Sequence, residues 1–192
     1  HGLGHRIPPH RIDYRANIWA IREAGATSVV GTAVSGAIDA TLGPGDLILI
    51  DQFIDATQGR LGTFFDDEVR HTDMTEPYDP VLRSIVCQAA NETGVPIVNG
   101  GTYVCTNGPR FETPAEIRMY QTVGATLVGM TGCPEVTLAR ELDLPYASIG
   151  VISNAAAGNN DAPLGLDDIR TVLAAIEKPV RSLLAEVAAR LR

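Results

Sequence analysis

Basic residues are scarce in this chain. Fifteen Lys and Arg stand against 23 Asp and Glu, a net charge of −8 over 192 residues. With no basic run to release counterions, the composition argues against nucleic acid and anionic membrane surfaces as partners. An anion site built from a few local donors is still allowed. Cysteine is almost as sparse. Cys87, Cys105 and Cys133 show neither metal-ligand spacing nor pairing logic, which fits a reducing cytoplasm better than a disulfide scaffold. No metal spacing links His5 and His10, and none is expected to bind a metal. No apolar run approaches membrane-span length, and no signal-peptide pattern opens the chain. No G-x-G-x-x-G follows a strand, which argues against a dinucleotide-binding fold.

What is present reads as one domain over residues 1–192, with 45% apolar content and a sizeable core. Apolar strands alternate with helices, the pattern of an α/β sheet with largely parallel strands. A helix is predicted from Tyr14 to about Ala24, capped by Asp13 and ended by Gly25. Buried strands follow near Ser28–Val34 and Asp46–Ile50. The polar stretch from Thr57 to Pro80 is too long for a bare connector and is expected to be functional or subunit-contacting. Further helices are predicted over Pro80–Thr93, Pro114–Val123 and Pro134–Leu142, and strands over Leu127–Met130 and Tyr146–Ser153. A Gly- and Asn-rich loop, Ala155–Leu164, leads to a last helix from about Asp167, which Pro179 should kink.

The stretch from Gly100 to Glu116 is the most informative. A strand-like run, Thr102–Thr106, breaks at Asn107-Gly108-Pro109 and presents Arg110, Phe111 and Glu112. A helix then starts behind Thr113 and Pro114, with Glu116 placed to complete a capping box. An aromatic face and a carboxylate are thus displayed where a strand ends, the usual ligand position in open α/β sheets. That pair suits a flat heterocycle carrying N–H donors.

This block resembles the trimeric purine nucleoside phosphorylase and methylthioadenosine phosphorylase family. The resemblance extends, in the family's order, over His1–His5, Tyr14–Ala20, Pro44–Asp55, Gly129–Glu135 and Ala147–Asn154. It implies a phosphorylase/hydrolase-like α/β fold, with a mixed central sheet flanked by helices. It also implies a homotrimer, a purine nucleoside substrate, and inorganic phosphate as co-substrate with no resident cofactor. The family's leading strand and glycine-rich phosphate loop have no counterpart before His1, so that part of the phosphate site is expected to be incomplete.

Residue by residue, the resemblance assigns phosphate to His1, to the backbone at Ala33 and Val34, and to Thr131. A histidine and a hydroxyl are donors, and free N–H groups at a strand end form an anion-binding concavity. Read alone, Thr131 is better understood as a helix cap. Met130 matches a position lying against the ribose, and His71 matches a histidine that reaches a neighbouring subunit's sugar pocket. Phe111 would pack on the base. Glu112 and Asn154 occupy the positions with which 6-oxopurine phosphorylases read the ring. The carboxylate accepts from N1–H, and the amide donates to N7 as charge builds on the leaving base. Methylthioadenosine phosphorylases instead place aspartates at the positions of Asn154 and Ala156. Leu166, beside Leu164, stands where a 5′-hydroxyl reader would carry histidine, so an apolar 5′-methylthio group fits better. Together these features imply a methylthioinosine phosphorylase. A general inosine/guanosine phosphorylase, a methylthioadenosine phosphorylase and a catalytically silent purine-binding domain remain alternatives. Arg110 reads as a structural or neighbour-facing salt-bridge residue. Cys133 does not read as a nucleophile, because phosphorolysis needs no covalent intermediate.

Overall fold

A computed structural model describes residues 1–159 and 165–191, with the side chain of Leu166 also outside the described set. After a short 3-10 turn at Pro9–Arg11 come α1 (Tyr14–Glu23), β1 (Val29–Ala37), β2 (Leu47–Leu49), β3 (Gln52–Asp55) and α2 (Pro80–Thr93). They are followed by β4 (Val98–Asn99), β5 (Thr102–Cys105), α3 (Pro114–Thr122), β6 (Leu127–Gly129), α4 (Glu135–Glu141), β7 (Tyr146–Ala155) and α5 (Leu166–Arg190).

Local chemistry accounts for the helix starts. Asp13 accepts from the Ala16 N–H at 2.9 Å and Asp79 from the Leu82 N–H at 2.7 Å. The Thr113/Glu116 capping box forms as the sequence anticipates. Gly94 ends α2 with φ +67°, the left-handed conformation in which glycine carries no Cβ penalty. Pro179 lies inside α5 without ending it.

The strands form one mixed sheet in the order β3-β5-β6-β1-β7-β2-β4. The β1/β6 and β2/β7 pairs are antiparallel, and the other four neighbouring pairs are parallel. Side chains alternate between the two faces, as strand geometry requires. Leu47 and Leu49 join Val86, Ile149, Leu183 and Val187 beneath α2 and α5. Ile48 and Ile50 face the opposite cluster with Tyr14, Ile18, Tyr103 and Leu138, which draws in α1 and α4. A third cluster seats α3 through Ile117 and Tyr120 against Ile38, Val104, Val128 and Ala156.

The sheet is mixed and largely parallel, as expected, with four parallel ladders and two antiparallel ones. Two expectations change. The strand expected to end at Val34 continues to Ala37, because its pairing with β7 resumes past a bulge between Ser35 and Gly36. The short strands β3 and β4 were hidden in segments too brief to show a period. The stretch between β3 and α2 has no helix or strand, as expected.

Candidate active site

The Glu112 carboxylate sits where β5 gives way to the Asn107–Pro109 turn. Thr106 donates its hydroxyl to Glu112 Oε1 at 2.6 Å, and the Thr106 N–H donates to Gly129 O at 2.9 Å. One carboxylate oxygen is thereby fixed to β5, and β5 to the end of β6. Glu112 lines a cavity of about 300 Å³ together with Gln58, Asn107, Arg110 and Tyr120. That volume lies at the lower end of the range for small-molecule sites. Phe111 is 40% exposed, outside the core, and is not among the residues lining that cavity.

Arg110 serves the scaffold. Its guanidinium grips Glu116 with two bonds, 2.9 and 2.7 Å, while Glu116 Oε2 also accepts the Thr113 N–H at 2.7 Å. The Arg110 hydrogen bond, then that N–H, pulls the Glu116 carboxyl down to about 2. The salt-bridge reading of Arg110 therefore holds.

Asn154 lies near the end of β7, opposite Gly36 of β1. Its Oδ1 accepts from Ser153 Oγ at 2.6 Å, and its Nδ2 donates to Ala155 O at 2.8 Å. One amide N–H remains for a ligand. A Cβ at Gly36 would sit 3.3 Å from that Nδ2, so the close approach of the amide depends on the glycine. Ala156 is buried, and its N–H donates to Ala37 O at 2.7 Å. Tyr120 of the α3 cluster lines the Glu112 cavity, and Val128 of the same cluster abuts Gly36, the partner of Asn154 in the β1/β7 ladder. No hydrogen bond joins Glu112 directly to Asn154 among the described residues.

Met130 reaches toward the same turn. A Cβ at Gly108 would lie 2.5 Å from its sulfur, so the thioether rests on the Asn107–Pro109 backbone. Thr131 follows directly. The helix-cap reading of Thr131 does not hold, because Pro134 is the N-cap of α4 and no side chain caps it. Among the described hydrogen bonds the Thr131 hydroxyl has no protein partner, while its N–H donates to Tyr103 Oη at 3.2 Å. Ala33 and Val34 lie within β1 rather than at its end; Ala33 is buried and Val34 is 46% exposed.

His1 is held at the start of the chain. Its Nδ1 lies 2.7 Å from Ile7 O, and its ring stacks on His5 with centroids 3.9 Å apart. No described hydrogen bond ties it to Ala33, Val34 or Thr131. His71 is exposed in the segment before α2. Leu164 and the side chain of Leu166 lie outside the described residues, although the Leu166 backbone opens α5. Cys133 is fully buried, and its hydrogen bond with Cys105, reinforced by burial, holds the thiol far above its ordinary value. A thiol so protonated is no nucleophile.

Sequence reasoning missed Arg60. Its NH2 donates to the carbonyls of Met130 (2.8 Å), Thr106 (3.1 Å) and Asn107 (3.2 Å), and its NH1 to Cys133 O and Tyr14 Oη. The guanidinium carbon also lies 5.0 Å from the Tyr14 ring centroid. One side chain thus clips together the ends of β5 and β6 and the entry to α4. The available signal was its isolation: Arg60 is the only charged residue between Asp55 and Asp66.

These features can be set beside known proteins. The chain matches the Phosphorylase superfamily model over residues 1–189. It is 47% identical over 190 residues to the "Probable 6-oxopurine nucleoside phosphorylase" of Dictyoglomus turgidum, covering 97% of this chain and 72% of that protein. Identity is also 47%, over 173 residues, to the "Probable S-methyl-5'-thioinosine phosphorylase" of Methanothermobacter thermautotrophicus, covering 90% and 60%. The 6-oxopurine nucleoside phosphorylase of Pyrococcus furiosus is 49% identical over 166 residues, covering 82% and 63%. The chain therefore spans between three fifths and three quarters of the length of these relatives. The methylthioadenosine phosphorylase of Schistosoma mansoni, solved with adenine, superposes with a TM-score of 0.95 at 34% identity, covering 100% of this chain and 75% of that one. Family model, relatives and fold agree: the chain belongs to the phosphorylase superfamily.

Proposed function

We propose that the protein catalyses phosphorolysis of a purine nucleoside with a 6-oxo base. A phosphate oxygen forms a bond to the anomeric carbon as the bond to N9 breaks, and the electron pair departs with the purine. Positioning and electrostatics supply most of the catalysis in such a reaction. The observation that carries the reading is Glu112, with one oxygen held by Thr106 and its side chain lining a cavity. The other oxygen is available to accept from N1–H of hypoxanthine or guanine. Asn154 retains one amide N–H for N7, where negative charge gathers as the base leaves. Thr131, the Ala33–Val34 edge and His1 are the donors assigned to phosphate. Met130 lies against the sugar and Phe111 against the base.

Within that class the preferred substrate is 5′-methylthioinosine, giving hypoxanthine and 5-methylthioribose 1-phosphate. Support comes from Asn154 and Ala156 standing where adenine readers carry aspartates, from the apolar Leu166 position, and from relatives named for this activity. Inosine or guanosine is the second reading, favoured by relatives named for 6-oxopurine nucleosides. Inorganic phosphate is the co-substrate and no resident cofactor is invoked. The working form is a homotrimer in the cytoplasm, with His71 contributed to a neighbouring sugar pocket.

The test is phosphate-dependent release of purine from methylthioinosine, inosine and methylthioadenosine assayed in parallel. Fastest turnover of methylthioinosine supports the full reading. A clear preference for methylthioadenosine would overturn the base assignment, and no phosphate-dependent release from any of the three would overturn the activity.

A further inference from the structure

The antiparallel ladder between β1 and β6 is unusually short. It joins Gly36 to Val128 and Ala37 to Leu127 and then stops. Continued in the same register, it would set Met130 opposite Val34 and Thr131 opposite Ala33. The backbone instead turns away after Gly129, and Tyr103 is the group it turns around. The phenol oxygen accepts the N–H of Thr131 and the N–H of Gly132, each at 3.2 Å. In a continued strand these two consecutive N–H groups would point to opposite sides, one of them toward β1. The ring also fills the inside of the turn. A Cβ at Gly129 would lie 2.5 Å from the phenol oxygen, and one at Gly132 would lie 2.7 Å from Cε1. No real Cβ occupies such positions, so the Gly-Met-Thr-Gly sequence and Tyr103 specify each other. Tyr103 itself is fully buried in β5.

We propose that Tyr103 is a positioning residue for the phosphate co-substrate: by capturing the Thr131 and Gly132 N–H groups it holds β6 off β1 and presents the Thr131 hydroxyl across from the Ala33–Val34 edge. The inference rests on the phosphorolysis reading above, which supplies the anion. The β1/β6 ladder stops at this turn, and the Thr131 hydroxyl beside it has no protein partner among the described hydrogen bonds. A hydroxyl and strand N–H groups facing one gap would bind an oxyanion.

Tyr103→Phe keeps the ring and removes only the oxygen. The expected result is a rise of about tenfold or more in the phosphate KM, the size of effect produced when buried donors lose their acceptor. The dissociation constant for hypoxanthine, read through Glu112 and Asn154, should stay within about twofold, since one lost acceptor at the phosphate side leaves those contacts in place. Gly132→Ala pushes the same turn from the other side and should reproduce the pattern if Tyr103→Phe fails to fold. Equal loss of phosphate and purine affinity, or no change in either, would overturn the assignment and leave Tyr103 a core residue. If the wild-type chain releases no purine, the phosphorolysis reading fails. Calorimetric titration of inorganic phosphate into wild type and Tyr103→Phe then decides the role of Tyr103 by the same affinity ratio.

Discussion

Thr106 and Glu112 are locked together by a 2.6 Å hydrogen bond that spans the Asn107–Pro109 turn and leaves one carboxylate oxygen uncommitted. A carboxylate fixed through one oxygen and open at the other reads an N–H donor without having to be ordered on binding. Replacing Glu112 with Gln keeps an acceptor for Thr106 but turns an amide N–H toward the purine N1–H. A charged hydrogen bond lost in this way costs about 1.5–3 kcal/mol, so kcat/KM on 6-oxopurine nucleosides should fall roughly 10- to 100-fold. Steady-state kinetics with phosphate saturating and then varied checks this, and the phosphate KM should scarcely move.

On the proposed reading, Asn154 selects the purine. An aspartate there accepts from a 6-amino group and favours a protonated N7, whereas the amide donates to N7. Asn154→Asp should therefore shift the ratio of kcat/KM for methylthioadenosine over methylthioinosine upward by about tenfold or more, since a mismatched donor or acceptor costs on the order of 1–3 kcal/mol. Competition between the two nucleosides in one reaction measures that ratio directly. An unchanged ratio removes Asn154 from base recognition.

Arg60 makes a different prediction, one of stability. Its donors satisfy carbonyls of Met130, Thr106, Asn107 and Cys133, and no lysine ammonium can span that set. Arg60→Lys and Arg60→Met should each cost roughly 3 kcal/mol or more, since a buried acceptor left unpaired costs about 1–3 kcal/mol. For a domain of this size that is a fall in Tm of roughly 6–12 °C, measurable by thermal unfolding. A drop of only a degree or two would mean that water replaces the guanidinium at little cost.

How far the sequence reveals this architecture depends on the range of the interactions. The Asp13, Asp79 and Thr113 caps are legible because their partners lie three residues away. The end of β1 is not legible, since a bulge against β7, more than a hundred residues on, carries the strand past Val34. Arg60 shows only its isolation among uncharged neighbours, and its role is hidden because its carbonyl partners lie 46 to 73 residues distant. Glu112 and Asn154 could be named from the blocks around them. Their support by Thr106, Ser153 and Gly36 required coordinates. Tyr103 is legible only as part of the Thr102–Thr106 run; its contacts with Gly129 and Gly132, which bracket Met130 and Thr131, appear only in the fold.

Acid should weaken the entrance to α3. The Arg110 hydrogen bond, followed by the Thr113 N–H, lowers the Glu116 carboxyl from 4.5 to about 2. A depressed folded-state value contributes stability above the unfolded value and loses it as pH falls through the folded one. The stability difference between wild type and Glu116→Gln should be constant above about pH 5, narrow below 4.5 and vanish near pH 2. Urea unfolding of both proteins over that range supplies the comparison. A pH-independent gap would show that the capping geometry alone, without the charge, accounts for the effect.

Glu135 should behave in the opposite sense. Its carboxyl lies in the first turn of α4 and accepts from the Tyr146 hydroxyl at 2.8 Å, yet burial raises its pKa above the ordinary 4.5. The hydrogen bond offsets only part of the desolvation. With the folded value above the unfolded one, wild-type stability is complete below 4.5 and declines as pH climbs through the raised folded value. Glu135→Gln retains an oxygen for Tyr146 and carries no charge to bury. Its stability relative to wild type should therefore increase from pH 4 toward pH 8 and level off once Glu135 is fully ionised. Parallel melting curves test the sign. If the wild type instead gains on the glutamine variant as pH rises, the ionised carboxylate is stabilised in the fold by a donor beyond Tyr146, and the burial argument is wrong.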